Sequence, residues 1–321
     1  MPRVAPAAAL IAALSLGPLV AAAAPYPVKP IRVIVGFSPG GGSDLLSRAV
    51  GSKLAERWGQ PVVTDNRAGA GGTIALELAA RAAPDGHTLL VISGSQITNA
   101  TLVTRVPFDI RTAYAPVTQM TTQPYVLLAH PSVPAKTVKE LIAHARAHPG
   151  KLNYASSGTG SSAHLGMELF KALAQVDLVH VPYKGSGQAL IDLLGGQVQT
   201  LLASAISAGP HLKTGKLRAL GVTSPKRARL LPELPTIAES GVAGFDVTGW
   251  YGLVAPKGTA PAIVDALNRE IGRIIRSADV EDKLAADGTE AATGTPAQFT
   301  AVIVQEIDKW TRVVKTNGIQ L

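Results

Sequence analysis

Two loops rich in glycine and serine contain the residue types of a site for a small anion. The first, residues 38–44, reads SPGGGSD, and the second, residues 156–164, reads SSGTGSSAH. Each follows a short apolar segment and precedes an amphipathic one, so each is predicted to lead from a strand into a helix. The N–H groups of a helix's first turn bind anions, and glycines allow a ligand to approach the backbone. Because neither loop contains Lys or Arg, backbone N–H groups and hydroxyls would bind the ligand, which we predict to be a carboxylate.

The same pattern also occurs where a turn only connects a strand to a helix, with Ser43 or Asp44 as the N-cap. Its occurrence twice in one chain favours the ligand-binding interpretation. We interpret Asp44 as a cap or a brace of its own loop, because an acidic side chain would repel a carboxylate unless it bonds to N–H groups. His164 lies in the first turn of the second helix, where packing and ligand contact both remain open.

The candidate ligand-binding residues belong to these two loops and to the far wall of the cleft that the loops would share. The loop candidates are Ser38, Gly40, Gly41, Ser43, Asp44, Ser157, Gly158, Gly160, Ser161 and His164. The candidates for the far wall are Phe37, Ser95, Tyr183 and Ser204. Phe37 and Tyr183 are equally consistent with packing in a core.

Other chemistries lack residues that they need. Residues 158–163 match G-x-G-x-x-A, but no acidic residue ends the next predicted strand, where a dinucleotide site has one. The sequence contains no P-loop and no G-x-S-x-G motif. It also contains no cysteine, which excludes disulfides, cysteine catalysis and thiolate metal sites. His144 and His148 have helical metal-ligand spacing but lack the glutamate of H-E-x-x-H, so we predict a solvated pair, no metal and no cofactor.

Composition and charge indicate a two-domain protein with a small anionic ligand. The chain has 321 residues, of which 46% are hydrophobic and 16% are charged, and this is enough for two domains with cores of their own. The formal net charge of +8 is scattered along the sequence without a basic block. A scattered positive charge argues against nucleic acid as a partner and favours small anions.

Residues 1–24 have the composition of a secretory signal peptide. Arg3 precedes an uncharged segment rich in Ala and Leu, and four alanines precede Pro25. A membrane anchor is the less favoured alternative, because Pro6 and Pro18 interrupt a weakly apolar segment. The mature protein is therefore expected to be exported and soluble.

The elements that would position the two loops alternate between strand and helix. Strands predicted at residues 32–35, 61–64 and 87–93 are each followed by a turn, and the first two turns lead into helices. Such βα units predict a parallel sheet with helices on both faces, so the fold class is α/β. Ligands of these sheets bind beyond the carboxyl ends of the strands, where the turns at residues 38–44, 66–72 and 93–95 would lie.

The second half of the chain repeats the α/β pattern. Residues 114–117 and 125–129 predict two strands separated by residues 121–124, and we interpret this region as the crossing into a second domain. Four further strands are predicted at residues 152–155, 177–181, 198–203 and 217–222. A strand at residues 247–255 is predicted to run back toward the first domain, and the helices that start near residues 261 and 296 to pack on it.

Six segments of the chain resemble the Bug-type substrate-binding receptors of tripartite tricarboxylate transporters. They read VGFSPGGGSD, NRAGAGG, SGTGSSAHL, HVPYKG, GKLRAL and LPTI, and they cover residues 35–44, 66–72, 157–165, 180–185, 215–220 and 234–237. The resemblance implies a two-lobed periplasmic binding protein of type II-like fold. Lobe 1 would comprise residues 25–124 and 244–321, and lobe 2 would comprise residues 125–243.

The resemblance also implies a function. The protein would close on a small organic carboxylate, with the loops at residues 38–44 and 156–164 on either side of it, and deliver the ligand to membrane transporter subunits. It would be a monomer and not an enzyme. At residues 203–205 the family often has an Asp or Asn that contacts the far end of the ligand, whereas this chain has Ser204.

Two alternatives remain open at this point. An exported ligand sensor or interaction protein could use the same two lobes. A secreted hydrolase acting on a carboxylate or ester is less favoured, because it needs a nucleophile–base pair or a metal and the sequence contains no motif for either.

Overall fold

The architecture of the chain is given by a computed structural model, which describes residues 26–319 apart from 105, 230, 287 and 317. The signal peptide predicted at residues 1–24 lies outside the described residues. The strands are β1 (Ile31–Val35), β2 (Val62–Asn66), β3 (Thr88–Ser93), β4 (Tyr114–Ala129), β5 (Asn153–Ser156), β6 (Val179–Pro182), β7 (Thr200–Ser204), β8 (Arg218–Val222), β9 (Thr248–Pro256) and β10 (Glu290–Ala291).

The α-helices lie mostly between the strands along the chain. They are α1 (Gly42–Trp58), α2 (Thr73–Ala80), α3 (Gly94–Thr98), α4 (Val138–Ala147), α5 (Ser162–Ala174), α6 (Ser186–Leu194), α7 (Ala205–Lys213), α8 (Pro261–Ile275), α9 (Ala278–Ala286) and α10 (Pro296–Thr316). A 3-10 turn, Ala70–Gly72, precedes α2, and a π-helical segment, Asn99–Val103, continues α3. None of the described helices combines the length and the apolar character needed to cross a bilayer.

The strands join in the order β2-β1-β3-β9-β4-β7-β5-β6, with β8 and β10 also paired to β4. The pairs of β1 with β2 and with β3 are parallel, as the βα units predict, and so are the pairs of β5 with β6 and with β7. Strand β9 returns antiparallel between β3 and β4. The observed fold is α/β, and the predicted class is confirmed.

Strand β4 is continuous, which corrects the prediction of two strands separated at residues 121–124. Its residues 114–124 pair with β9, and its residues 125–129 pair with β7 and β8. Thr121 and Thr122 are hydrogen-bonded to β9 on one side and β10 on the other, so backbone pairing holds this polar segment extended without an apolar run. The partners change between Pro124 and Tyr125, where the sequence predicts the lobe boundary; the lobe bounds themselves stay a prediction.

The change of partners defines two sheet regions. We call β1–β3, β9, β10 and residues 114–124 the first sheet, and β5–β8 and residues 125–129 the second sheet. Side chains alternate between the two faces of each strand, and helices cover both faces of the first sheet. One face packs against α1 and α8, with a core that includes Val33, Val35, Leu46, Val50, Leu89, Val91, Leu267 and Ile271. The other packs against α2 and α10, with a core that includes Ile34, Leu76, Leu90, Ile92, Phe299, Ile303 and Ile307.

The second sheet has two corresponding cores, and the last helix contributes to one of them. Tyr154 and Leu202 pack with α4 and α5, whereas Ala155 and Leu201 pack with α6 and α7. Helix α10 packs on the first sheet as predicted, and its Trp310 continues into the core of the second sheet beside α5. One helix therefore contacts both halves of the molecule.

The helices that the sequence did not predict, α3, α7 and α9, are short. The first has five residues, and the other two have nine each. Helix α7 contains Pro210, and α3 begins at Gly94, so both carry residues of low helix propensity. By contrast, α1 is long and ends at a glycine: Gly59 adopts a left-handed conformation with φ 66° and donates to the carbonyl of Ala55.

The packing of α10 on β9 can be tested at Gly252, where a Cβ would overlap the ring of Phe299. We expect Gly252→Ala to lower the free energy of unfolding by about 1–3 kcal/mol, because overpacked cores force side chains from their rotamers. Phe299→Leu should restore part of this loss in the double variant. Urea denaturation measures both effects.

Gly209→Ala is the matched control, because no atom lies within 4 Å of its Cβ position and the residue is helical. It should leave stability unchanged or raise it slightly. A Gly252→Ala protein as stable as the wild type would contradict the contact between α10 and β9.

Candidate functional site

The first loop ends in a helix N-terminus that no side chain caps. Gly41 is the N-cap of α1, and its carbonyl accepts from the N–H groups of Asp44 and Leu45. The N–H groups of Gly42 and Ser43 precede these donors and have no acceptor in the described part of the chain. An uncapped first turn with free N–H groups is the arrangement that binds anions at helix N-termini.

Asp44 braces this loop from inside. Its carboxylate is 2% exposed and accepts from the N–H of Gly40 at 2.9 Å, from Arg48 Nε at 3.0 Å and from Asn66 Nδ2 at 3.0 Å. Burial opposes ionisation of the carboxyl, but the hydrogen bonds from Arg48, Gly40 and Asn66 outweigh it and hold the pKa of Asp44 below its ordinary value. The negative charge is therefore neutralised within the loop, as the brace interpretation expects.

In the second loop, several backbone N–H groups donate to acceptors within the loop and the first turn of α5. Ser161 is the N-cap of α5, and its hydroxyl accepts from the N–H of His164 at 3.3 Å. The N–H of Gly160 donates to His164 Nδ1 at 3.0 Å, and the N–H of Gly158 donates to Ser156 Oγ at 3.1 Å.

The N–H groups of Gly158 and Gly160 are thus occupied inside the loop, and their role as ligand contacts stays a prediction. The two glycines supply positive φ angles of 132° and 77°. The first-turn N–H groups of Ser162 and Ala163 have no acceptor among the described residues.

Three stacked rings support the second loop. The ring centroid of His180 lies 4.0 Å from that of His164 and 4.9 Å from that of Tyr154, and the centroids of Tyr154 and His164 are 6.4 Å apart. His180 Nε2 is 2.7 Å from the hydroxyl of Ser156. Because Nδ1 of His164 accepts from Gly160, the ring is neutral with its proton on Nε2. Of the two roles left open for His164, its described contacts are those of loop support.

Burial keeps both imidazoles neutral. It lowers the pKa of His164, and it lowers the pKa of His180 to about 4, with the adjacent His164 as the second cause. Lys171 lowers both pKa values further, whereas Glu168 opposes it. All of these groups line a surface cavity of about 480 Å³ behind the loop.

Three side chains on β4 and β9 lie near the two helix N-termini, and we call Tyr251, Gln123 and Tyr125 the Tyr–Gln–Tyr bridge. The hydroxyl of Tyr251 lies 3.0 Å from the Cβ position of Gly42, at the start of α1. Gln123 lies close enough to both tyrosines to lower their pKa values, and Ser162, at the start of α5, does the same for Tyr125. The starts of α1 and α5 therefore lie at the same polar bridge.

Burial raises the pKa of both bridge tyrosines, in the case of Tyr125 to about 12. The hydroxyls stay protonated at neutral pH and can donate to an anion. The sequence analysis missed these residues, because only the pairing of β9 with β3 and β4 brings residue 251 beside residues 123 and 125. The one sequence feature that could have indicated these residues is the strand predicted at residues 247–255, which was expected to return to the first domain.

The four residues predicted for the far wall have different positions. Ser204 caps α7 and pairs with Tyr125 across β4 and β7. Ser95 bonds to Ser93, whose strand partner is Tyr251, so both serines lie next to the bridge. Tyr183 donates to Asp192 of α6 at 2.7 Å and packs on the core beneath α6, as its packing alternative expects. Phe37 is half-buried, and its carbonyl accepts from Asn66 Nδ2.

The positions of the His, Asp and Glu side chains in the described part of the chain do not suggest a metal site. Within the described ranges, no group of three His, Asp or Glu side chains is placed to hold a metal ion. His144 and His148 contact each other at the C-terminus of α4, with ring centroids 4.4 Å apart.

Two α/β regions joined by β4 and β9, with a helix N-terminus of each region at the junction, define the fold of a periplasmic binding protein. The sequence profile described as "Tripartite tricarboxylate transporter family receptor" matches residues 46–319. The chain belongs to this family. The resemblance predicted from the sequence motifs is confirmed.

Solved structures of similar proteins agree with this assignment. "R. palustris Rpa4515 with adipate" is 37% identical with a TM-score of 0.85, and the alignment covers 92% of this chain and 99% of that one. MatC (Rpa3494) from Rhodopseudomonas palustris with bound malate is 34% identical with a TM-score of 0.81, covering 90% and 100%. Periplasmic binding protein BugD is 31% identical with a TM-score of 0.82, covering 92% and 99%.

The brace at Asp44 is open to a direct test. Asp44→Ala leaves the Gly40 N–H and the Asn66 amide without their acceptor, so we expect the free energy of unfolding to fall by about 1–2 kcal/mol. Chemical denaturation measures this loss. Asp279→Ala, which removes an exposed ion pair with Lys53, is the control and should cost less than about 1 kcal/mol. Equal losses in the two variants would contradict the brace.

We expect the stacked histidines to make the free energy of unfolding depend on pH. The unfolded chain takes up protons at its histidines near pH 6.5, whereas the folded pKa of His180 is about 4. The folded state binds fewer protons in this window, so the free energy of unfolding decreases as the pH falls from about 6.5 to about 4. The double variant His164→Asn with His180→Gln keeps a polar atom near each ring nitrogen and should flatten this slope.

Thermal unfolding between pH 4 and 7 checks the slope. The control variant, His144→Gln with His148→Gln, removes the histidine pair at the end of α4 and should keep the wild-type slope. If the stacked pair and the control pair change the slope equally, the buried neutral state of His164 and His180 is contradicted.

Proposed function

We propose that this chain is a periplasmic receptor that closes its two lobes on a small organic carboxylate and delivers it to the membrane subunits of a tripartite tricarboxylate transporter. Lobe 1 comprises residues 25–124 and 244–321, and lobe 2 comprises residues 125–243. The signal peptide at residues 1–24 directs export to the periplasm and is cleaved, and the protein acts as a monomer. The adipate and malate of the related structures support the ligand class.

The observation that carries the proposal is that two helix N-termini lie at one polar bridge. Four first-turn N–H groups, those of Gly42, Ser43, Ser162 and Ala163, are free among the described residues. Hydrogen bonds to a charged group contribute about 1.5–3 kcal/mol each. Four of them, reduced by the cost of association, suffice for the roughly 8 kcal/mol of a micromolar complex.

The charge of the ligand is matched by dipoles rather than by a cation. Neither loop contains Lys or Arg, and Arg48 is bound to Asp44. The protonated hydroxyls of Tyr125 and Tyr251 add two donors between the helix ends. This donor set favours a carboxylate, whose oxygens only accept hydrogen bonds when ionised.

The fold and the family are those of binding proteins, and we propose that the chain has no catalytic activity. Ser156 and His180 form a serine–histidine pair at 2.7 Å, which is the geometry of an activated nucleophile. Ser156 is, however, 0% exposed, and its hydroxyl is also bonded to the backbone of Gly158. A substrate cannot reach a buried hydroxyl that supports its own loop, so the pair is structural.

Valine substitutions in the two loops test the proposed site. Gly41 has φ −81°, and the nearest atom to its Cβ position is 3.7 Å away, so Gly41→Val fills space in front of α1 without backbone strain. Gly158→Val changes the second loop, where φ is 132°. We expect each variant to weaken carboxylate binding by at least about tenfold, or 1.4 kcal/mol, and in the extreme to abolish it.

Calorimetric titration with mono-, di- and tricarboxylates, including adipate and malate, measures the affinities. Gly195→Val is the matched control, since Gly195 also has φ −81° but lies at the C-terminus of α6. Wild-type affinity in both loop variants would remove the loops from the site. Turnover of the same acids or their esters by the wild-type protein would contradict the absence of catalysis.

A further inference from the structure

One side chain of the first lobe contacts the ligand-binding loop of the second lobe. Asn99, which is 7% exposed, donates from Nδ2 to the carbonyl of Thr159 at 3.3 Å. Its Oδ1 accepts from the hydroxyl of Thr104 at 2.9 Å. These partners determine the orientation of the Asn99 amide. The carbonyl oxygen of Thr159 can only accept a hydrogen bond, so the amide nitrogen of Asn99 must face it. The bond joins residues on opposite sides of the proposed lobe boundary.

Two glycines make room for this contact. A Cβ at Gly71, in the first lobe, would lie 2.5 Å from the Asn99 side chain, and a Cβ at Gly160, in the second lobe, would lie 3.0 Å from Asn99 Nδ2. The same Cβ at Gly160 would also lie 2.5 Å from Val103. The Asn99 side chain is therefore enclosed by both lobes, in a space that any residue with a side chain would fill.

The backbone around Asn99 is of an uncommon type. Residues Asn99–Val103 form a π-helical segment, in which the N–H of Thr104 donates to the carbonyl of Asn99. The wider turn places Asn99 and Val103 together on the side that meets Gly160. Single π-helical turns are rare and occur frequently at functional sites.

We propose that Asn99 is a positioning residue for ligand binding, which stabilises the closed arrangement of the lobes through its bond to Thr159 without touching the ligand. This inference rests on the proposed closure of the two lobes. When the lobes separate, Thr159 moves away from Asn99 and the bond is lost. The contact therefore contributes to closed states only, and it shifts the equilibrium toward the ligand-retaining form.

Asn99→Asp is the informative variant, because it keeps the shape and the acceptor for Thr104 but cannot donate to Thr159 when ionised. Loss of one hydrogen bond should raise the Kd for adipate about 3- to 10-fold. The increase should come from a faster dissociation rate with a similar association rate, because the bond forms only in the closed complex. Thr98→Val is the matched control, since Thr98 is 2% exposed and bonds only to Gly94 of its own lobe.

Lobe closure is measured independently of affinity. The chain has no cysteine, so spin labels at Lys139→Cys and Asp265→Cys, on exposed positions of α4 and α8, report one distance between the lobes. The distance distribution is recorded without ligand and with saturating adipate. We expect Asn99→Asp to reduce the short-distance population in at least one condition and Thr98→Val to leave it unchanged.

The outcomes separate this inference from the proposed function. If adipate binds the wild type and Asn99→Asp changes neither the dissociation rate nor the distance distribution, the role of Asn99 is overturned and the receptor function stands. If no tested carboxylate binds the wild type, the proposed function fails, and the ligand-free distance distribution of Asn99→Asp still decides the inference. A lower melting temperature with an unchanged distance distribution would show a structural role only and would also overturn it.

Discussion

The structure depends on how the N–H groups at two helix starts are satisfied. Backbone donors removed from water need an acceptor, and the first turn of a helix has none within the helix. In this chain the loops supply some acceptors themselves, through Asp44, Ser161 and His164. The donors left over are few and adjacent, so the braces decide where an anion can bind.

The braces also decide the charge at the site. Asp44 is ionised and paired with Arg48, and His164 is neutral because its Nδ1 accepts from the backbone. The loops therefore present amide and hydroxyl dipoles without a formal positive charge of their own. Fixed dipoles recognise a carboxylate by geometry, and they depend less on ionic strength than a surface lysine or arginine would.

The junction of the two sheets places these dipoles together. Strands β4 and β9 lie side by side, and they carry Tyr125, Gln123 and Tyr251 between the starts of α1 and α5. The hydrogen-bond partners of β4 change between Pro124 and Tyr125, so this one strand belongs to both sheets. Helix α10 packs on both sides of this junction.

The sequence by itself determined the family of this protein and many of its local elements. The strand–glycine–helix order around residues 31–58 and 153–174 follows from dihedral preferences and apolar spacing, which act between near neighbours. The sequence left Asp44 as a cap or a brace, and its hydrogen bonds in the structure are those of a brace. The tertiary structure alone decided that β4 is one strand, that Tyr251 stands beside Tyr125, and that His180 stacks on His164. These outcomes depend on strand pairing and burial between segments far apart in the chain. A local sequence pattern cannot predict them, because the stabilising contacts form only when the distant segments meet.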